Sequence, residues 1–409
     1  MVEAWIIDAA RIPRAIGKAG KGAYADVHPQ HLLSSVLRAL KERNDLVTSD
    51  VDDVVVGCST QQGAQGSCIG RMAVLDAGWD PAAPGFSLDR FCGSGLTALN
   101  LAAMGVMSGM QNLVVAGGVE SMSYTSTVKR YPTLDSNNLH LRSLHPQPHQ
   151  GICADVIATI EGITREETDR LGLESQRRAD IAIRNGHFSK SLTPARLPDG
   201  KVLLEQEEFP RPNTTAEGLA ELKPSFAAIY DRPFDDAGTS YKALVQQAFP
   251  RLQINHVHHA GNSSGVVDGA GAVVLASPDY ARAHGLKPRA RVISVATAGD
   301  SPELMLNAPA PAARKALMAA GMDAKDIDLF EINEAFAVVP IKFMRELDIS
   351  DEIVNVNGGA IALGHPIGAT GAIILGTLLD ELERRNLSTG LATMCTGGGM
   401  GTATIIERI

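Results

Sequence analysis

An α/β fold with a duplicated core and an inserted loop domain is what the sequence predicts, and three observations carry the prediction. Short, almost wholly apolar runs alternate with stretches whose apolar residues recur at helical spacing, the pattern of a parallel or mixed sheet covered on both faces. Residues 290–409 replay the first 120: 327–333 mirrors 51–57, and 391–399 mirrors 114–118. The spacing agrees, with 35 positions from residue 57 to 92 and 32 from 333 to 365, which marks a weak repeat of two αβ halves and not a solenoid. From about residue 124 the periodicity lapses. The expected division is a first half over 1–120, completed by about 251–277, an inserted loop domain over 121–250 and a second half over 278–409.

Taken in order, residues 2–8 read as a buried strand and 11–22 as a polar, Gly-rich loop. Residues 31–43 form a helix with its leucines and Val36 inward. Residues 51–57 make a strand with Asp50, Asp52 and Asp53 at its mouth, and 69–77 a helix. The apolar run 86–88 leads into Arg90-Phe91-Cys92-Gly93-Ser94-Gly95-Leu96, a strand end, a tight turn and a helix start. Residues 112–116 are a strand that ends in the stretch 117–123. Within the insert, 168–185 is helical and Arg-rich, whereas 191–235 is Pro-rich and mixed in charge. The core resumes near Gly261-Asn262-Ser263-Ser264-Gly265 and the apolar run 272–276. Loops carried on such a scaffold usually set specificity.

Hydrophobic residues make up 44% and charged residues 20% of the 409, enough for a large core and too apolar for disorder. The 40 glycines cluster in short motifs, which implies tight turns and close backbone approaches. With a net charge of −9 and no long basic run, nucleic acid is excluded as a natural partner, and an anionic substrate requires a local basic patch. No stretch reaches the ~18 apolar residues of a membrane span. The acid-bearing N-terminal run reads as a first strand and not a signal peptide, and Glu407-Arg408-Ile409 is not a peroxisomal tripeptide. Five cysteines without a pairing pattern fit a reducing, cytoplasmic setting in which a thiol is free for chemistry.

The chemically suggestive groups sit at strand-to-turn junctions. Cys92 stands at or just before a helix N-terminus, where exposed N–H groups lower a thiol pKa from about 8.5; a buried structural cysteine is the alternative. Asn333, after a strand, is a neutral donor suited to a carbonyl oxygen or a water, or else a helix N-cap. His365 sits in a Gly-rich turn before Pro366, a residue suited to a first helical position. It is a base, an oxyanion donor or a turn histidine. Cys395 ends a strand ahead of three glycines, which present N–H groups as an oxyanion hole or simply turn the chain. Two thiols, one imidazole and one amide at the turns of a duplicated core converge on the interface between halves, where ligand sites form.

The sequence closely resembles the thiolases, the acyl-CoA C-acyltransferases. The resemblance rests on Phe91-Cys92-Gly93-Ser94-Gly95-Leu96, Gly117-Gly118-Val119-Glu120-Ser121-Met122-Ser123 and Asn333-Glu334-Ala335-Phe336-Ala337. It rests equally on Asn357-Gly358-Gly359-Ala360-Ile361-Ala362-Leu363-Gly364-His365-Pro366 and Cys395-Thr396-Gly397-Gly398-Gly399, all in order across nearly the whole chain. It implies a thiolase-type αβαβα layered core and an enzyme of fatty-acid and lipid metabolism (β-oxidation among its roles). The implied reaction is reversible, ping-pong thiolytic cleavage of a 3-ketoacyl-CoA to acetyl-CoA (or a shortened product) plus acyl-CoA, or the reverse Claisen condensation, through an acyl-thioester on Cys92. Cys92 is then the nucleophile that holds the acyl group, His365 its base, and Cys395 the acid/base at the substrate Cα. Asn333, through a water, and His365 form one oxyanion hole; the N–H groups of Cys92 and Gly397 form the other.

For coenzyme A, a co-substrate and not a resident cofactor, the resemblance points to Ser264 and Phe336 near the pantetheine and to Arg211, His149 and Phe226 from the loop domain. The alternatives are an ordinary surface arginine for Arg211 and a turn hydroxyl for Ser264. No metal is implied, and a homodimer or homotetramer is.

Two departures stand out. Gln150 replaces a Met common in short-chain members and makes the acyl wall more polar, so the expected acyl group is bulkier or more polar than acetoacetyl. His258 and His259 precede Ala260-Gly261-Asn262, and a buried pair is expected there and not a metal site. The alternative function is a catalytically silent acyl-CoA or lipid-binding relative. Ketosynthases and hydroxymethylglutaryl-CoA synthase, which use other residue sets, are disfavoured by Cys395 and the Asn333 stretch.

Overall fold

The structure, a computed structural model, describes residues 2–129 and 131–409. Its frame is a ten-stranded mixed sheet. The strands are β1 (Trp5–Arg11), β2 (Ala15–Ile16), β3 (Asp53–Gly57), β4 (Phe86–Leu88), β5 (Leu113–Glu120), β8 (Val267–Ala276), β9 (Ala290–Gly299), β10 (Leu329–Ile332), β11 (Thr389–Thr396) and β12 (Met400–Arg408), while β6 (Ala195–Arg196) and β7 (Val202–Leu204) form a separate ribbon.

The order β10-β11-β12-β9-β1-β8-β5-β3-β4, with β2 off this path on β8, displays the duplication. In the first half β3 runs parallel to β5, and β5 is antiparallel to β8, itself antiparallel to β1. In the second, β10 runs parallel to β11, and β11 is antiparallel to β12, itself antiparallel to β9. The two sets meet through only two residue pairs, Trp5 with Arg291 and Ile6 with Ala290. Strands such as β5 and β8 are buried along their whole length, as a sheet covered on both faces requires.

Eight helices are named here: α1 (Pro29–Asn44), α2 (Ile69–Asp76), α3 (Ser94–Met107), α4 (Gln150–Glu161), α5 (Arg165–Arg184), α6 (Pro309–Ala320), α7 (Val338–Leu347) and α8 (Thr370–Arg385). Helices α1 and α2 cover the outer face of the first half, and α6 and α7 that of the second. Between the two sets of strands lie α3 and α8, packed in one apolar cluster with Leu96, Leu99, Leu375 and Leu379. The layering is therefore α-β-α-β-α. At the N-terminal ends of the two central helices the backbones nearly touch: a Cβ on Gly371 would lie 2.0 Å from the Leu96 nitrogen, and one on Gly95 2.7 Å from the Gly368 oxygen. Only glycine permits this approach.

Several expected boundaries move. The first strand runs on to Arg11, whose buried guanidinium meets Glu207 of the insert at 2.5 Å; Arg14 reaches the same carboxylate at 2.8 Å. Against the cost of burial, these two arginines hold Glu207 down to about 2. The third strand starts at Asp53, after a short helical turn over Thr48–Asp50. Strand β5 takes in Gly117 and Gly118, which pair with Ala272 and Gly271. The helix expected to open near Pro366 starts at Thr370, four residues later.

Candidate active site

The Cys92 turn is bent by Phe91, which occupies the left-handed region at φ +48°, a conformation that costs a non-glycine residue about 1–3 kcal/mol. Its neighbours hold it there. Asp89 Oδ1 accepts the Phe91 N–H at 2.7 Å, and Ser94 Oγ accepts the Arg90 N–H at 2.8 Å while donating to the Phe91 carbonyl at 2.6 Å. Gly93 is the N-cap of α3, so Cys92 precedes the helix by two residues. The expected lowering of its pKa is overturned: burial pushes the thiol up to about 12, because desolvation of the thiolate outweighs the helix end.

His365 follows Gly364, at φ +91°, and is buried. Its Nδ1 lies 2.5 Å from Thr370 Oγ1, and that hydroxyl donates its single hydrogen to the Pro366 carbonyl at 3.0 Å. The hydroxyl therefore accepts from Nδ1–H, which leaves Nε2 with a free lone pair. Burial pulls the imidazole down to about 4, so it is neutral at pH 7. Asn333 Nδ2 stands 3.4 Å from Nε2, and the buried Asn333 Oδ1 has no partner among the described residues. Asn333 is not a helix cap: α7 starts at Val338, with Ala337 at its N-cap.

Cys395, fully buried near the end of β11, completes the set; burial first and the nearby Cys92 second push its thiol above the ordinary range. The Cys92 turn abuts this strand end, since a Cβ on Gly93 would lie 2.5 Å from Thr396 Cγ2. Gly398 and Gly399, both at φ +75°, carry the chain away.

Two cavities meet at Cys92, His149, Gln150 and Ile367. One, of about 210 Å³, is lined by Tyr131, Thr133, Leu134, Met305 and Gly397. The other, of about 220 Å³, is lined by His365, Ser264, Phe226 and Phe336, together with Ser263, whose hydroxyl is unpartnered. Phe226 packs edge-on against Phe336, and His149 lies 5.4 Å from Phe226. The His149 Nδ1 accepts the Gly151 N–H at 3.1 Å, so the neutral ring presents an Nε2–H donor.

Arg211 stands apart. It lines a third cavity of about 210 Å³ with Thr214, Leu219 and Gly261, and its guanidinium lies over the Phe209 ring. Gln150 is the first residue of α4 and is exposed, with no side-chain partner among the described residues. It stands at the junction of the two cavities and not as a buried amide in the wall of one.

Sequence reasoning assigned no role to Thr370 or Glu120. Glu120 accepts N–H groups from Ser59, Thr60, the Gln65 amide and Gly368, tying the loop after β3 to the His365 turn. Its place inside a quoted motif was the available signal. His258 and His259 are a buried pair, each held by its own carboxylate: Asp155 at 2.7 Å and Asp169 at 2.7 Å. Among the described residues no group of three or more His, Cys, Asp or Glu side chains is arranged to hold a metal ion.

A duplicated α/β core whose halves meet at two thiols and a neutral imidazole defines the class, a layered α/β acyltransferase. Residues 4–229 match the family description "Thiolase, N-terminal domain" and residues 286–408 match "Thiolase, C-terminal domain". The acetyl-CoA acetyltransferase of Escherichia coli is 40% identical, covering 95% of each chain. The 3-ketoacyl-CoA thiolase of Cronobacter sakazakii is 38% identical over 99% of each, and a β-ketoadipyl-CoA thiolase of Escherichia coli 38% over 100% of each. Among solved structures, the Bacillus anthracis acetyl-CoA acetyltransferase superposes with a TM-score of 0.85 at 34% identity, covering 100% of this chain and 99% of that one. The chain belongs to the thiolase family.

Proposed function

We propose that the chain runs its thiolase reaction through an acyl-thioester on Cys92. In the cleavage direction the Cys92 proton passes to His365 Nε2, and the sulfur adds to the 3-keto carbonyl of the substrate. The C2–C3 bond then breaks. Its electron pair becomes the enolate of acetyl-CoA, which takes a proton from Cys395. The acyl group remains on Cys92. Coenzyme A, the co-substrate, gives its thiol proton to Cys395 and takes the acyl group, while the departing Cys92 sulfur takes its proton back from His365. Condensation is the reverse.

The single observation that carries this reading is the Thr370-fixed tautomer of His365, which offers Cys92 a neutral base at Nε2. With the thiol raised to about 12 and the imidazole lowered to about 4, the resting pair is neutral, and the proton moves as the substrate reacts. Once protonated, Nε2–H becomes a donor beside Asn333 Nδ2, supporting one oxyanion. The N–H groups of Cys92 and Gly397 serve the other. Losing one such donor costs about 10²–10³ in rate.

Residues 121–250 act as the CoA- and acyl-binding insert. Ser264, His149, Phe226 and Phe336 hold the pantetheine and thioester region, and Arg211 the phosphate end. The cavity bearing Tyr131, Thr133 and Met305 takes the acyl group. The active form is a homodimer, or a pair of dimers, built on the open edge of β4, where Phe86 is exposed; Leu101 and Met104 of α3 are exposed as well. The setting is cytoplasmic, a reading supported by five unpaired cysteines. Among the described residues no helix is long and apolar enough to cross a membrane.

Intact-mass spectra after incubation with acetyl-CoA test the assignment. The wild type is expected to gain one acetyl group and Cys92→Ser none, whereas Cys395→Ala acylates slowly and does not turn over. An adduct that persists in Cys92→Ser overturns the nucleophile. Acyl-CoA binding without any adduct in the wild type points instead to a silent binding relative.

A further inference from the structure

A cavity larger than either of those at Cys92 lies away from the thiols. At about 610 Å³ it exceeds either active-site cavity and falls within the ~300–1,000 Å³ of ordinary small-molecule sites. It is a trough between α5 and α7. Its walls are apolar: Leu171 from α5, Pro340, Ile341 and Met344 from α7, and Ile349 and Val354 beyond.

The rim carries charges of both signs, nearly in balance. Arg170, Arg177, Arg178 and Arg345 face Glu167, Glu174 and Asp351. Three of the arginines are occupied: Arg177 and Arg178 pair with Glu174, each at 2.6 Å, and Arg345 with Glu167 at 2.5 Å. Arg170 makes no hydrogen bond or close ion pair among the described residues, although Glu167, one helical turn earlier, lies within reach of its charge. It lies on the same face of α5 as Glu167, Leu171, Glu174 and Arg178, at helical spacing.

The floor is Glu334. Its carboxyl accepts from Ser175 Oγ at 2.7 Å, Asn355 Nδ2 at 3.0 Å and the Ile361 N–H at 3.1 Å, so it asks nothing further of a ligand. It is also the residue after Asn333, and two of its three donors lie on the segment 355–361 that leads to His365.

We propose that this trough is a second ligand site, separate from the acyl and CoA cavities, that takes a single-chain amphipathic carboxylate: an alkyl tail along the Leu171–Met344 walls and the acid head on Arg170. One free guanidinium matches one negative charge; a phosphate dianion calls for more than one. Walls without unpaired polar groups match an unsubstituted alkyl chain. The site itself does not rest on the Cys92 assignment.

The test is calorimetric titration of the full chain with decanoate, in the absence and presence of saturating CoA, with decanol as the headless control. One site per chain is expected, with affinity unchanged by CoA, at least about tenfold weaker in Arg170→Glu, lost in Met344→Trp and not reproduced by decanol. No saturable binding, displacement of decanoate by CoA, or unchanged affinity in Arg170→Glu overturns the proposal. Equal binding of decanol overturns the role of Arg170. Arg170 is exposed, so its variant is readable even where the tryptophan disturbs packing. Cys92 acylation, read by mass in the same samples, reports separately on the catalytic assignment.

Discussion

Thr370 Oγ1 has one hydrogen and donates it to the Pro366 carbonyl, which compels it to accept from His365. Removing that acceptor frees the imidazole to put its proton on Nε2, where it cannot take one from Cys92. Thr370→Val is expected to lower kcat about tenfold, one hydrogen bond's worth, with KM for CoA little changed and Thr370→Ser restoring activity; steady-state kinetics decide. The same imidazole sets a pH dependence. Folded, it titrates near 4; unfolded, near its ordinary ~6.5. Between those values the unfolded chain binds a proton that the folded chain refuses. Its contribution to stability is therefore complete above about pH 6.5 and is lost as pH falls to about 4, by about 3 kcal/mol. Urea unfolding across this window should show a shallower pH slope for His365→Asn than for the wild type. Cys92, Asn333, His365 and Cys395 were legible as candidates because each sits in a motif at a strand-to-turn junction, and the structure places them around one site. The direction of the Cys92 shift was not. A helix start is local, but the burial that overrides it comes from distant residues: Cys92 packs against the central apolar cluster that includes Val273, Leu375 and Met394.

At the scale of elements, the two central helices are placed by glycines. Gly371→Ala puts a methyl 2.0 Å from the Leu96 nitrogen, on backbone that cannot yield without moving α3. Such overpacking costs about 1–3 kcal/mol or more, and here it separates the Cys92 turn from the His365 turn. The expected result is a lowered urea midpoint and lost turnover, while Gly285→Ala, a surface turn glycine with nothing within 4 Å, shows strain at its positive φ but keeps activity. Periodicity located the strands and helices, and the replayed spacing located their duplication. Boundaries failed where tertiary contacts decide. β5 runs through two glycines because β8 pairs with them, and Arg11 is drawn into β1 by a carboxylate some two hundred residues distant. The Pro-rich stretch 191–235 gave no periodic signal because its order comes from such ion pairs and from the short β6–β7 ribbon.

At the scale of the whole molecule, the sheet ends differently on its two sides. Val354 bridges to Phe330 on β10 and caps that edge, but among the described residues β4 pairs only with β3 and leaves its outer edge unpaired. An exposed edge bearing Phe86 invites a second copy. Phe86→Lys is expected to shift the sedimentation coefficient from dimer toward monomer; an unchanged coefficient, or a monomeric wild type, removes β4 from the interface. The edge itself was legible as a short apolar run, but its openness follows from strand order, which sequence spacing does not give.

The seam between the halves also governs when the enzyme becomes reactive during its own synthesis. The ribosome delivers Cys92 early, yet β8 must slip between β1 and β5 before the first sheet can close, so the whole insert is made beforehand. Thr370 and His365 emerge about 270 residues after Cys92, some 15–55 s later at roughly 5–20 residues per second. Throughout that interval the nascent chain carries a thiol with no base beside it. On the proposed roles of Cys92 and His365, acylation is thus withheld from every incomplete chain, not by an inhibitor, but by the order in which the two halves are translated.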